Sequence, residues 1–298
     1  MMESDSAITT SWTDALKADE VPCPISLRKH LLEVHRRYPG FSESCATKCK
    51  DSAGHTSYEW LCDVIDPARH RSILDLACGS GFLLELCRAR FPQMDTLTGV
   101  DMSPAELALA RRRLSGKDVT LHERLVQDLS FAKRGSLDAV LCHWALTLMD
   151  PIEPVLREID RVLSPGGVFT AIVDGDPAAA PGYAEINDLV FQYVRMELPT
   201  YGDHDLGDPR TRTPRSLAML ARSVFKTTDV SVETSTFTLE GKPASLALEA
   251  AGFFYAAYIL PAAARKRLLT DLAAFFHANA KDGVAAFCMP VCRLVVRF

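Results

Sequence analysis

Short apolar runs alternate with helical patterns through the middle of the chain. The runs predict five strands and the patterns between them predict three helices, with strands at 72–77, 96–101, 118–124, 137–143 and 168–173 and helices at 81–91, 103–114 and 153–163. Strands that alternate with helices form parallel sheets, so these units predict a doubly wound α/β fold. An extended alternating pattern at 228–239 and a final strand at 290–298 follow this core.

The two ends of this core differ from it. Residues 1–70 have a mostly helical pattern, clearest at 27–38 and 58–65, and we expect them to form a helical lid on a main domain at 71–298. After the fifth strand, a Pro-, Gly- and Asp-rich stretch encloses a helical pattern at 183–197, which predicts a cap insertion at about 174–225. Such an insertion lies over the carboxyl edge of the sheet, where open α/β folds bind ligands. Further helices are expected at 214–225, 244–260 and 261–279.

The most specific pattern lies at 72–103. The first strand reaches Asp75, Gly79 and Gly81 follow it in a turn, and the second strand ends in Asp101. Small residues let such a turn approach a ligand closely, and a carboxylate at the end of the second strand can accept both ribose hydroxyls. The third glycine of a dinucleotide fingerprint is missing, and so is the Gly-Lys-Ser/Thr of a P-loop. The pattern therefore favours a nucleoside ligand, with a turn that merely requires small residues as the alternative.

This segment resembles motifs I and II of the class I S-adenosylmethionine-dependent methyltransferases, although Ala77 replaces the first glycine of their turn. The resemblance implies a Rossmann-like fold with a seven-stranded sheet, which an antiparallel hairpin of two strands closes at the C-terminal end, and S-adenosylmethionine as cofactor. It implies that Asp75 lies near the amino group of the methionine moiety, that Asp101 binds the ribose and that Met102 packs on the adenine. The full set of cofactor-binding residues it implies is Asp75, Ala77, Cys78, Gly79, Gly81, Asp101, Met102, Gln127, Asp128, Leu129 and His143, with 127–129 at the adenine.

Four residues are candidates for catalysis. His143 follows the fourth strand, and a histidine there can deprotonate an acceptor or simply hold the methionine end of the cofactor. Tyr183 and Asn187 are four residues apart and share one helix face, which either faces substrate or packs as part of a cap. Tyr58, from the N-terminal region, can close the other side of the pocket or pack as an interface aromatic.

Composition and charge argue against several classes of partner and cofactor. The 298 residues carry a net charge of −5, and the longest basic run is 111–113, so nucleic acid is not expected as a partner. No signal-peptide or membrane-spanning pattern is evident, so no membrane partner is expected. Nine scattered cysteines, an odd number, favour reduced thiols in the cytoplasm. Two C-x3-C pairs lack the companion ligands of a zinc site, and no metal is expected.

These observations predict an S-adenosylmethionine-dependent methyltransferase that acts on a small molecule in secondary metabolism and releases S-adenosylhomocysteine. Positioning carries most of such a reaction, so no catalytic triad is needed. The chain also resembles methyltransferase-like cyclases that convert the cofactor to azetidine-2-carboxylate and methylthioadenosine, which stays open as the alternative. A binding module without catalysis is the third interpretation. The sequence leaves the acceptor atom and the oligomeric state undetermined.

Overall fold

Seven strands form the sheet in the computed structural model, which describes residues 7–203, 206–227 and 229–298. They are β1 (Ser72–Leu76), β2 (Thr96–Asp101), β3 (Thr120–Glu123), β4 (Leu137–His143), β5 (Leu163–Asp174), β6 (Val230–Gly241) and β7 (Ala285–Arg297). Their order is β3-β2-β1-β4-β5-β7-β6. The first five run parallel, whereas β7 is antiparallel to β5 and β6. The predicted seven-stranded α/β fold is confirmed.

Helices cover both faces of the sheet. They are α1 (Ser11–Lys17), α2 (Pro24–Arg37), α3 (Glu43–Ala46), α4 (Ser57–Cys62), α5 (Phe82–Arg90), α6 (Pro104–Arg113), α7 (Glu153–Val162), α8 (Tyr183–Glu197), α9 (Pro214–Val224), α10 (Pro243–Phe253) and α11 (Ala262–Ala278). Successive strand residues point to opposite faces, so Ile73 packs with α5 and Leu74 packs with α7. A strand that is buried on both faces has a nearly continuous apolar sequence, which is why the central strands were predictable.

Capping residues set the start of the two helices that matter most for the site. Ser103 caps α6 and Pro104 occupies its first turn. Thr56 and Glu59 cap α4 reciprocally, and the Thr56 N–H donates to the Glu59 carboxylate at 2.7 Å. Because α6 follows directly on β2, these starts place the first turn of α6 at the carboxyl edge of the sheet.

Some boundaries differ from the prediction. The helices α1 and α3 were not predicted, and β5 begins at Leu163 rather than at 168. The helix predicted at 244–260 ends at Phe253, and a 3-10 turn follows at Tyr255–Ile259. The helix ends early because of a tertiary contact, since Phe254 and Tyr255 form part of the wall of a cavity. Residues 1–6 of the predicted lid, 204–205 of the predicted cap and 228 of the predicted extended segment lie outside the described residues.

Candidate functional site

A cavity of about 410 Å³ lies at the carboxyl edge of the sheet, next to the ends of β1, β2, β4 and β5. This volume falls in the range of small-molecule sites, roughly 300–1,000 Å³. Helix α2 contributes Arg28 and Leu31 to its wall, and the cap helix α8 contributes Tyr183 and Asn187. The sheet, the N-terminal helices and the cap therefore form one site together.

The turn between β1 and α5 forms the floor of the cavity. Ala77, Gly79 and Gly81 all have left-handed backbone angles, with φ of +56°, +49° and +79°. At Gly81 an added Cβ would lie 3.0 Å from the Cβ of Ala110, so a side chain there meets the neighbouring helix. The Gly81 N–H donates to the Cys78 carbonyl at 2.9 Å, which closes the turn tightly. These constraints explain the small residues, and the strain of Ala77 explains why glycine is the better residue at its position.

Asp75 is a buried carboxylate that lacks a partner. The residue is 1 % exposed and lines the cavity, and its Oδ2 accepts no hydrogen bond from any described residue. Burial raises the pKa of Asp75 well above its usual value, and the charge of Asp101 raises it further. A donor with a positive charge would relieve both effects, which is what the ammonium group of an S-adenosylmethionine methionine moiety offers.

Asp101 is held in place by the backbone on both sides. Its Oδ2 accepts from the Gly79 N–H at 2.9 Å and its Oδ1 accepts from the Ser103 N–H at 2.7 Å. Burial raises the pKa of Asp101, while these two N–H groups act in the opposite direction. Each carboxylate oxygen has a second lone pair, so the oriented group can still accept the hydroxyls of a ribose.

Glu106 is a third buried acid at the site, and sequence analysis did not single it out. Its Oε1 accepts from the Gly40 N–H at 2.7 Å and lies 2.7 Å from Nδ1 of His35. The other ring nitrogen of His35 lies 2.8 Å from the hydroxyl of Tyr255. Glu106 thus connects the N-terminal segment to the first turn of α6 beside the cavity. No local signal distinguishes it, because these partners are distant in sequence.

The wall expected to bind adenine is only partly as predicted. Met102 and Gln127 line the cavity. Asp128 does not line the cavity, and its carboxylate pairs with Arg124 at 2.6 Å on the surface. The Leu129 side chain is in the core and its N–H donates to the Glu158 carboxylate at 3.1 Å, so the contacts predicted for 128 and 129 with adenine stay predictions. Arg124, four residues earlier, pairs with the Asp128 carboxylate. The Leu129 N–H is occupied by Glu158, which belongs to α7 on the other face of the sheet.

His143 and Tyr58 meet in the cavity wall. Their rings stack with centroids 3.6 Å apart and planes at 19°. His143 Nε2 lies 2.9 Å from the hydroxyl of Ser57, the first residue of α4. Burial lowers the pKa of His143 to about 3, so the ring is neutral and a weak base. This geometry favours a positioning role for His143 over proton abstraction, and burial likewise raises the pKa of Tyr58.

Tyr183 and Asn187 of the cap helix both line the cavity, as the spacing predicted, and Tyr183 is 5 % exposed. Beside them Asp174 at the end of β5 lies 3.9 Å from Nη1 of Arg212. Burial raises the pKa of Asp174, and Arg212 opposes the shift. Sequence analysis missed both charged residues, although the position of Asp174 at the end of a parallel strand is itself a signal of function.

Comparisons with known proteins agree with this architecture. Residues 74–171 match the family model described as a methyltransferase domain. A demethylmenaquinone methyltransferase of Symbiobacterium thermophilum is 38 % identical over 156 residues, 51 % of this chain and 60 % of that protein. A ubiquinone biosynthesis O-methyltransferase of Dechloromonas aromatica is 30 % identical over 167 residues, 55 % of this chain and 67 % of that protein. The chain thus spans about half to two thirds of the length of the curated relatives it matches.

Among solved structures, the 4+2 cyclase SpnF superposes with a TM-score of 0.56 at 16 % identity, covering 93 % of this chain and 97 % of that one. At this identity the likeness concerns the fold. No helix in the described ranges has the length and apolar character needed to cross a bilayer. The sheet order, the turn after β1 with its two acids, and the sequence relatives lead to one conclusion: the chain belongs to the class I S-adenosylmethionine-dependent methyltransferase family.

Proposed function

We propose that this protein binds S-adenosylmethionine at the β1–β2 edge and transfers its methyl group to a small molecule held under the cap. The observation that carries the proposal is the pair of buried acids at the ends of adjacent strands. Asp75 has an unpaired oxygen in the cavity wall, and Asp101 is oriented by two backbone N–H groups. Both fit the cofactor, whose ammonium and ribose hydroxyls are donors. The sequence relatives are named for methyl transfer to demethylmenaquinone and for O-methyl transfer in ubiquinone biosynthesis, which supports the reaction class.

When bound, S-adenosylmethionine supplies an electrophilic methyl group, which a nucleophilic atom of the acceptor takes up while S-adenosylhomocysteine leaves. The protein orients the two molecules and excludes water. Glu106 holds the N-terminal segment over the cofactor side through His35 and Gly40. The stacked rings of Tyr58 and His143 form an uncharged wall. Neighbouring aromatic faces attract a cation and are suited to a sulfonium.

A methyltransferase-fold cyclase is the second candidate, and the weak basicity of His143 is compatible with it. In that reaction the cofactor's own amino nitrogen bonds to its γ-carbon, the carbon–sulfur electron pair stays on sulfur, and the ammonium proton goes to solvent. The products are azetidine-2-carboxylate and methylthioadenosine. An α-amino group is partly deprotonated near neutral pH, with a pKa of roughly 8, so no protein base is required. That the product belongs to secondary metabolism stays a prediction for either reaction.

Mass spectrometry of the adenosine-containing products decides between these reactions. The purified protein is incubated with S-adenosylmethionine alone and then with a panel of small O-, N- and C-nucleophiles. S-Adenosylhomocysteine formed only with an acceptor supports methyl transfer. Methylthioadenosine together with azetidine-2-carboxylate, formed without an acceptor, supports the cyclase.

S-Adenosylmethionine also decomposes slowly to methylthioadenosine, so a protein-free sample and the Asp101→Asn variant define the background. Calorimetric binding of the cofactor without any product would support the third interpretation, a binding module. No measurable binding would refute the proposal.

A further inference from the structure

Asp174 is the last residue of β5 and lies at the carboxyl edge of the sheet. The strand order places the end of β5 next to the end of β4, on the side away from β1 and β2. Under the proposed function, Asp75 of β1 and Asp101 of β2 hold the cofactor. Along this edge His143, the last residue of β4, therefore separates the two cofactor acids from Asp174. Asp174 thus belongs to the acceptor half of the cavity.

The Asp174 side chain can reach a molecule that is held against the ring of His143. Ile172 lies opposite His143 in the parallel pair of β4 and β5, and Asp174 follows two residues later. With strands about 4.8 Å apart and a rise of about 3.3 Å per residue, the Cα atoms of His143 and Asp174 are about 8 Å apart. Both residues line the cavity. An acceptor atom beside the His143 ring is therefore within side-chain reach of Asp174.

The Asp174 carboxylate has accessible surface inside the cavity. Its side chain is 34 % exposed, and within the described ranges no other residue donates a hydrogen bond to it. Nη1 of Arg212 lies 3.9 Å from Oδ2 of Asp174, which is beyond hydrogen-bonding distance. Asp75 and Asp101, by comparison, are 1 % and 7 % exposed. Of these three acids, Asp174 is the one whose carboxylate is open to a molecule in the cavity.

The surroundings of Asp174 make it a stronger base than an ordinary aspartate. Burial raises the pKa of Asp174, and the positive charge of Arg212 opposes this shift. Tyr183 of α8 and Cys292 of β7 are the titratable groups whose charge would interact with it. Burial raises the pKa of Tyr183 and raises that of Cys292 to about 11, so both are uncharged near neutral pH. A base is most effective when its pKa approaches the working pH.

Aromatic rings form the cavity wall on this side. The centroids of Tyr183 and Phe254 are 5.9 Å apart, and those of Phe253 and Phe254 are 5.6 Å apart. All three residues line the cavity, as does Asn187, one helical turn after Tyr183. Ligand sites of this kind combine a largely apolar wall with a few polar groups that fix orientation. The wall suits an acceptor with an apolar body and one polar group, placed at Asp174.

We propose that Asp174 is the general base of the methyl transfer, and that the acceptor is an alcohol, a phenol or an amine on an apolar body. This assignment rests on the proposed function. The acceptor's O–H bond, or the N–H bond of its ammonium form, breaks, and the proton moves to the Asp174 carboxylate. The electron pair left on oxygen or nitrogen forms the bond to the methyl carbon. The pair of the broken carbon–sulfur bond stays with S-adenosylhomocysteine, and Asp174 then releases its proton to solvent.

The test compares Asp174→Asn with Asp176→Asn. Asp176 is exposed, and Asn can keep its role as acceptor for the Ala178 N–H at 2.9 Å. The acceptor is the O- or N-nucleophile of the panel that wild type methylates, and kcat/KM is measured between about pH 5 and 9. We expect Asp174→Asn to lower kcat/KM near pH 7 by roughly 10²- to 10⁴-fold, mainly through kcat. Wild type should lose activity as the pH falls through the pKa of Asp174, and the variant should lack this limb of the profile. Asp176→Asn should stay within about twofold of wild type.

Calorimetry with S-adenosylhomocysteine supplies a readout that does not depend on turnover. Its Kd should stay within about twofold of wild type in both variants, which also shows that the cavity is folded. A Kd raised tenfold or more by Asp174→Asn would place Asp174 on the cofactor side and overturn the assignment. An unchanged pH profile, a loss confined to KM, an equal loss in the two variants, or acceptors that are all carbon nucleophiles would overturn it too. A wild type that forms no S-adenosylhomocysteine with any acceptor would instead refute the proposed function, and the assignment with it.

Discussion

Replacing Asp75 with Asn should stabilise the protein without ligand and weaken ligand binding at the same time. The Asp75 carboxylate is 1 % exposed and one of its oxygens has no described partner. Asn leaves a neutral polar group in the same place, so the substitution removes only the extra cost of burying a charge, taken as about 1–3 kcal/mol near pH 8. Unfolding entropy of about 2.1 cal/mol/K per residue, over 298 residues, converts this cost to a rise in Tm of roughly 2–5 °C.

The pH dependence has a definite sign. Burial raises the pKa of Asp75 above its unfolded value, so the folded protein retains a proton that the unfolded chain releases. Wild-type stability therefore decreases as the pH rises above the unfolded pKa, and Asn does not titrate. The Tm advantage of Asp75→Asn should be small near pH 4 and larger near pH 8. Calorimetric unfolding at several pH values measures this difference.

Ligand binding should change in the opposite direction. Asn can accept a hydrogen bond from an ammonium but carries no charge to pair with it, and we expect the Kd of S-adenosylhomocysteine to rise roughly 10- to 100-fold by isothermal calorimetry. A variant that is less stable at pH 8, or that binds S-adenosylhomocysteine within twofold of wild type, would refute the reasoning.

Asp138 supplies the matched control. It lies on β4, and although burial opposes ionisation, the N–H groups of Arg71 and Ser72 and two serine hydroxyls hold the pKa of Asp138 below its usual value. Asp138→Asn should therefore lower the Tm at pH 8 and leave the Kd unchanged. Asp138 accepts several hydrogen bonds, whereas Oδ2 of Asp75 accepts none from the described residues. Opposite changes in Tm for the two Asn variants would therefore show that the number of donors around the carboxylate decides its effect on stability.

Four other predictions concern residues of the site and the sheet. His143→Gln should leave the kcat/KM profile between about pH 5 and 8 unchanged, because the pKa of His143 is already lowered to about 3; an inflection that the substitution removes would contradict this. His143 should also make wild type lose stability as the pH falls from about 6.5 toward 3, since the unfolded chain takes up a proton there that the folded state does not. Gly99→Ala should destabilise by about 1–3 kcal/mol in denaturant unfolding, because its Cβ would lie 2.7 Å from two side chains. Gly252→Ala, whose nearest neighbour is at 3.8 Å, should be neutral or stabilising by up to about 1 kcal/mol, and equal losses would contradict the packing argument. Asp128→Asn should change the Kd of S-adenosylhomocysteine less than about twofold and Asp101→Asn at least about tenfold, and a matching loss for Asp128 would return it to the site.

The cofactor half of the site could be predicted because its signals are local. Asp75, Gly79, Gly81 and Asp101 belong to one strand–turn–helix–strand unit, and the turn needs small residues for reasons of backbone geometry alone. Asp128 shows the limit of the same reasoning. A motif predicts an acid near adenine, yet Arg124 is four residues away and pairs with the acid at the surface.

The other half depends on contacts between distant segments. His35 and Tyr255 are 220 residues apart and contact each other, and His35 also contacts Glu106, which sequence analysis did not single out. The pKa of His143 likewise depends on burial under α4, which brings Ser57 and Tyr58 onto its ring.

The sequence by itself thus determined the sheet, the turn and the two acids at the strand ends, because hydrophobic period and backbone sterics act over a few residues. Only the tertiary structure decided which buried polar atoms have no hydrogen-bond partner among the described residues, as Oδ2 of Asp75 has none. Burial and hydrogen bonding depend on contacts between segments that are far apart in the chain, so no local sequence pattern predicts them.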